Sequence, residues 1–332
     1  MKTTTLTLLS FVLASAALSA IGVERASAQT TGPRPVRFIA IGDAGFANDG
    51  QRAVARKVAE VCAARGGCDF ALYLGDNFYN NGVETGAYDP QFEEKFESPF
   101  RGARFPFYAA LGNHDASLAL GGDGKDNADG DHQVSYHYRR DRASERWRMP
   151  ARYYTARHGD VQIFAIDTNA ILTDGTGTSD PGSAKQRAWL RAAVAASTAP
   201  WKIVFGHHTY VSNGGHGNAG DYRGLPEPHG LGAQLKSFLE ETSCDRADFY
   251  FCGHDHHLEW LAPVPACGRT QFIVSGAGSD PRPVGSTINE FYFQKASTHG
   301  FWWVEAAGDT LRAAAYDSQP GTAPLFEKVV TK

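Results

Sequence analysis

Seven short apolar runs recur along the chain, and most of them end abruptly in glycine followed by Asp, Asn or His. They read "VRFIAIGDAG", "FALYLGDNFY", "FYAALGNHD", "VQIFAIDTN", "WKIVFGHHTY", "FYFCGHDHH" and "QFIVSGAG". Each holds four to seven apolar residues without a clean polar alternation. That is the pattern of strands buried on both faces. Helical periodicities lie between several of them, at 49–66, 89–100, 183–197 and 230–242, with Asp49 and Ser183 as expected N-caps of the first and third. Strand alternating with helix predicts an α/β fold with a largely parallel sheet. The stretch "FWWVEAAGDTLRAAAYD" predicts a hairpin turning at Gly308-Asp309. Residues 116–148, rich in glycine and aspartate with a basic tail, read as a long surface loop.

The polar clusters follow their strands, so they gather at the carboxyl ends, where open α/β sheets bind ligands. Their side chains are Asp43, Asp76, Tyr79, Asn113, His114, His207, His208, His216, His254, His256 and His257. Taken singly these are ordinary residues. Asp43 and Asp76 are equally good strand-end caps, Tyr79 a packed aromatic, Asn113 a turn residue, and His216 in "SNGGHGN" a solvated loop histidine. Together, oxygen and imidazole donors without thiolate suit Fe, Mn or Zn. Seven ligands with one bridging carboxylate would hold two ions about 3.5–4 Å apart, the geometry of hydrolytic phosphate enzymes. If "GHDHH" leaves its strand extended, His254 and His256 face one side and Asp255 and His257 the other. One pair can then reach a metal each, and the other is better placed to support or rim the site.

The ordered blocks "GDAG", "GDNFY", "GNHD", "GHH" and "GHDHH" resemble the five-block signature of the purple acid phosphatases, within the calcineurin-like metallophosphoesterases. The similarity covers roughly residues 36–316 and is nearest to the small, single-domain, mammalian-type branch. "GDNFYNNGV", "FEEKFESPF", "ERWRMPARYY" and "VSGAGSD" also have counterparts there. The resemblance implies a four-layer α-β-β-α sandwich with the site at the carboxyl ends of the strands. It implies a first metal held by Asp43, Tyr79 and His256, Asp76 as the bridge, and Asn113, His207 and His254 around the second. His114 and His216 would face the substrate phosphate, His216 lying nine residues after His207. A phenolate donor favours Fe(III) at the first site, and the less anionic second site a divalent Fe, Zn or Mn. The implied activity is hydrolysis of phosphate monoesters, on small molecules or phosphoproteins, by a metal-bound hydroxide. A phosphodiesterase of the same superfamily, or a metal-loaded redox protein reactive with oxygen, are the alternatives. Ala44 stands where that branch usually has tryptophan, which is expected to reshape a pocket wall. The remaining histidines, His132, His137, His158, His229 and His299, read as structural or solvated.

Lys2, the apolar run at residues 6–23 and the "ASA" at Ala26–Ala28 have the form of a secretory signal, with an N-terminal anchor as the other reading. This predicts a signal peptide over 1–28, a short linker over 29–35, and one domain over 36–332, secreted or periplasmic, monomeric and free of the membrane after cleavage. Removing residues 1–28 moves the net charge from −4 to −5, and no basic stretch offers a nucleic-acid backbone a partner. An oxidising compartment lets the five cysteines pair. Cys62 and Cys68 flank a flexible turn, Cys252 sits in an apolar run as a buried thiol, and Cys244 is left with Cys267.

Overall fold

All seven apolar runs form strands, and each strand stops at or just before its polar cluster. The computed structural model describes residues 34–116, 128–172, 181–222, 231–285 and 288–332, together with Met1. The expected signal segment and His229 lie outside these. Residues Pro33–Lys332 form one compact unit.

In chain order the strands begin with β1 (Val36–Ile41), β2 (Phe70–Leu74), β3 (Phe107–Ala110), β4 (Trp147–Arg148), β5 (Tyr154–His158), β6 (Val161–Ala165) and β7 (Trp201–Phe205). They continue with β8 (Phe249–Cys252), β9 (Leu258–Leu261), β10 (Gln271–Ser275), β11 (Phe291–Lys295), β12 (Gly300–Ala307), β13 (Thr310–Asp317) and β14 (Phe326–Thr331). They make two seven-stranded sheets, ordered β14-β13-β12-β1-β2-β3-β4 and β11-β9-β10-β8-β7-β6-β5. The single, largely parallel sheet suggested by periodicity is therefore two mixed ones. Each has a parallel block, β1-β2-β3-β4 and β6-β7-β8-β10, flanked by antiparallel strands on one side in the first sheet and on both sides in the second. The β12–β13 hairpin turns at Gly308-Asp309 as expected, with Gly308 at φ +56°.

The double-sided burial has a simple cause. In the second sheet Ile163, Ile203, Phe249, Phe251 and Ile273 face the first sheet, where Phe251 meets Phe38 edge-on at 6.0 Å. Their neighbours Phe164, Val204, Tyr250, Phe272 and Val274 face outward. They are covered there by α3 (Thr168–Leu172), α4 (Pro181–Ala196) and α5 (Leu231–Thr242), through Ile171, Leu190, Val194, Leu235 and Phe238. In the first sheet Trp302 donates its indole N–H to Val274 O of the second sheet. Trp303, one residue on, lies beneath Arg65 at the end of the covering helix α1 (Asp49–Ala64). The layers are helix, sheet, sheet, helix.

Several local expectations shift. The N-cap of α1 is Asn48, whose side chain accepts the Gln51 N–H at 2.8 Å; Asp49 is the first helical residue. Ser183 is not a cap, because α4 already runs at Pro181. Within 89–100 the helix is short, starting in the α form at 91–92 and widening to i→i+5 over Glu93–Glu97, between Pro90 and Pro99, and it delivers Phe92, Phe96 and Phe100 to one aromatic cluster. The expected surface loop contains α2 (Ala128–Tyr138) and β4. Tyr136 stacks on Phe92 at 3.7 Å, so α2 is fixed by tertiary packing that its polar sequence concealed. Cys62–Cys68 and Cys244–Cys267 are bonded and Cys252 is a buried free thiol.

The two parallel blocks meet at their carboxyl ends. The Gly42 N–H, just past β1, donates to Ser275 O at the end of β10, at 2.8 Å. Every glycine-led cluster opens onto that seam.

Candidate metal centre

The structure gathers the seven candidate ligands into two groups that share one residue. In the first, the Tyr79 hydroxyl lies 3.1 Å from Asp43 Oδ1, 2.8 Å from Asp76 Oδ2 and 3.2 Å from His256 Nε2. In the second, Asn113 Oδ1 is 3.0 Å from both His207 Nε2 and His254 Nδ1, which are 3.2 Å apart. Asp76 belongs to both, since its other oxygen, Oδ1, stands 3.4 Å from His207 Nε2.

Backbone geometry makes this convergence possible. Asp43, Asp76 and His254 all sit at positive φ, +55°, +52° and +67°. Such strained conformations in non-glycine residues concentrate at functional sites. The glycine before each ligand leaves room for the turn. Gly75 is itself at φ +87°, and a Cβ there would fall 2.7 Å from His207 Nδ1; at Gly253 it would fall 2.3 Å from Asp43 Oδ2. The left-handed His254 also means that "GHDHH" is bent, not extended as expected. The division of its side chains survives: His254 and His256 enter the two groups, Asp255 accepts from the His216 and Gly217 N–H groups, and His257 meets Glu259 at 3.1 Å.

Supporting contacts aim the imidazoles. His207 Nδ1 lies 2.9 Å from Leu74 O and His256 Nδ1 2.6 Å from Asp280 O. A carbonyl only accepts, so the proton sits on Nδ1 and each Nε2 lone pair points into the centre. Burial disfavours charge on Asp76, but His207, His114, the His114 backbone N–H and the Tyr79 hydroxyl outweigh it and hold the carboxyl below its ordinary value. Burial, then the charges of Asp43 and Asp76, push the Tyr79 phenol well above its usual range. Burial and four neighbouring imidazoles (His216, His208, His207 and His256) push His254 well below its own. A neutral His254 is left with Nε2 buried and without a partner. Packed carboxylates around a phenol on one side, and converging neutral lone pairs on the other, are a donor set suited to cations. The residues fit two ions.

His208, one position from His207, is buried nearby, and its imidazole joins His207 and His254 within 4.8 Å. Its Nδ1 is engaged by Thr168 Oγ1 at 2.7 Å, and the Asn113 oxygen stands closer to the other two imidazoles. We therefore take Asn113 as the third member. His114 and His216 border the groups: His114 Nδ1 lies 2.6 Å from Asn80 O with its ring 4.6 Å from that of Tyr79, and the His216 ring is 4.0 Å from that of His254. Burial pushes His216 down as well. His132, His137, His158 and His299 each bond elsewhere. Ala44 is fully buried against Gly278, and Phe46, two residues on, stacks on Tyr79 at 3.9 Å.

Two buried acids escaped sequence reasoning. Asp115 accepts the N–H groups of Asn77, Phe78 and Gly112 and the Gln133 amide, which locks the second and third clusters together. Burial and the Asp76 charge raise it to about 7. Nothing in "GNHD" distinguishes it from a loop aspartate. Glu259, fully buried, sits between apolar neighbours in "LEWL", and a charge in so apolar a strand was a readable signal.

Residues 36–258 match the calcineurin-like phosphoesterase family. The tartrate-resistant acid phosphatase type 5 of Sus scrofa is 31% identical over 307 residues, covering 83% of this chain and 82% of that protein. Among solved structures, an anchor protein of the inner membrane complex of Plasmodium aligns at a TM-score of 0.67 and 19% identity, over 90% of this chain and 89% of that one. A purple acid phosphatase from Lupinus luteus seeds aligns at 0.59 and 15% identity, over 90% of this chain and 54% of that one. At such identities the structural likenesses speak for the fold alone.

Proposed function

The chain belongs to the calcineurin-like phosphoesterases, and from that premise we propose an exported acid phosphatase that hydrolyses phosphate monoesters at a dinuclear Fe(III)–M(II) centre. The observation that carries the reading is Asp76, one carboxylate with an oxygen turned to each donor group. Asp43, Tyr79 and His256 would hold the Fe(III) beside it; Asn113, His207 and His254 would hold a divalent Fe, Zn or Mn. Bound ions supply a nucleophile from water at neutral or acidic pH and neutralise phosphate charge.

The chain's own groups do the rest. His114, oriented through Nδ1 by Asn80 O, presents Nε2 to a phosphate oxygen. His216, packed on the ring of His254, gives a proton to the departing oxygen. Tyr79 is fixed toward Asp43 and Asp76 by the Phe46 ring stacked on it at 3.9 Å. Residues 36–332 act as one domain, after removal of 1–28 as an export signal, and the two disulfides accord with an oxidising compartment. Substrates are small phosphate esters or phosphoproteins met by a monomer. The test is an assay of purified, metal-analysed protein on an aryl phosphate monoester and the matching diester. Faster monoester hydrolysis by a chain holding two ions is expected; a preference for the diester would reassign the substrate class.

A further inference from the structure

The segment that bears His216 has three glycines in "SNGGHGN" and reads as a flexible loop, yet it is among the most thoroughly tied pieces of backbone around the centre. Beneath it, fully enclosed, Asp255 accepts the His216 N–H at 2.9 Å through one oxygen and the Gly217 N–H at 3.3 Å through the other. Gly214 packs so closely on this carboxyl that a Cβ would fall 2.2 Å from its Cγ. At the start of the segment Glu259 accepts the Asn213 N–H at 3.1 Å and its side-chain amide at 2.8 Å. Asn289 closes the other side, its N–H donating to Asn213 Oδ1 and its amide to Asn218 Oδ1, both at 2.9 Å.

We propose that Asp255 is a positioning residue for the reaction, which fixes the backbone of His216 so that its imidazole meets the leaving-group oxygen, with Glu259 anchoring the other end of the same segment. The proposal rests on His216 acting as the proton donor. Asp255 stands between His254 and His256 in the chain, so the bent segment between β8 and β9 that supplies two of the candidate ligands also sets the distance of the acid from them. A misplacement of about 1 Å in such a group is enough to cost on the order of a hundredfold in rate. Two backbone N–H groups need two acceptor oxygens. An amide at 255 supplies one and turns a donor toward the other, and a methyl supplies none.

The test compares kcat/KM for glycerol phosphate and nitrophenyl phosphate in wild type, Asp255→Asn, Asp255→Ala, Glu259→Gln, His216→Ala and the double variant Asp255→Ala/His216→Ala, with metal content measured in each. A nitrophenolate leaves without a proton and an alkoxide does not. Asp255→Ala should lose about 10–100-fold on glycerol phosphate and little on nitrophenyl phosphate, with Asp255→Asn intermediate and two ions retained throughout. Glu259→Gln, which keeps one acceptor and lies outside the ligand segment, should show a smaller loss with the same substrate bias. The double variant should be no worse than His216→Ala, since Asp255 then has nothing left to position. Losses that multiply in the double variant, or that fall equally on both substrates with metals intact, overturn the proposal. If His216→Ala itself shows no substrate bias, the proton-donor reading fails instead, whatever the Asp255 variants do.

Discussion

The two halves of the centre share Asp76 and differ in nearly everything else. The Asp43–Tyr79–His256 half is oxygen-rich, with a carboxylate and a phenol meeting within 3.1 Å. The Asn113–His207–His254 half has two imidazoles and an amide and carries no acidic side chain of its own. Burial acts on both. In the first half it makes anions expensive unless a cation joins them; in the second it strips His254 of its proton and leaves neutral lone pairs. The lesson is that one seam between two sheets can build two cation sites of different charge demand. The first half should hold an ion of higher charge, and hold it longer.

The shared residue is the place to break this comparison. Asp76→Ala should cost both ions their bridge and reduce activity beyond the roughly 10–100-fold that loss of a supporting residue produces. Metal analysis of that variant checks it, and two ions still bound would end the bridging role. Next in size is Asp115→Asn, which leaves every donor in place but replaces an acceptor of four hydrogen bonds. Metal affinity should fall about 10–100-fold, read by competition with a chelator. Tyr79→Phe sharpens the comparison, because it touches one half alone: the visible colour of the oxygen-rich site should disappear while part of the activity and the second ion remain. A colourless, fully active wild type would count against Fe(III) there. The smallest effect lies outside both halves. Replacing Cys62 and Cys68 by Ala opens a short loop and should lower stability by about 3 kcal/mol or less in thermal unfolding, without changing metal content.

Much of this centre was legible in the sequence for a physical reason. Parallel strands buried on both faces carry continuous apolar runs, and the ligands come directly after them, so strand ends and candidate site residues were marked by the same letters. Asp43, Asp76, Asn113, His207 and His254 each follow a glycine, and that glycine records how closely a neighbouring cluster approaches. What escaped notice depends on partners distant in the chain. Helix α2 is polar in sequence and is held by Tyr136 against Phe92, 44 positions away. The roles of Asp115 and Glu259 lie in the backbone groups they collect from other segments. The bend at His254 is a left-handed residue, a conformation that non-glycine residues adopt in only a few per cent of cases and that the sequence does not specify.

The central claim is that one carboxylate joins two unequal cation sites. It is tested most directly by titrating the purified protein with a chelator while metal content and the visible spectrum are followed together. Two ions per chain are expected at the outset. One should leave first, with the colour retained, and the second should leave only at higher chelator with the colour. Loss of both ions in a single step, or loss of the colour with the first ion, would contradict the assignment of the tighter site to Asp43, Tyr79 and His256.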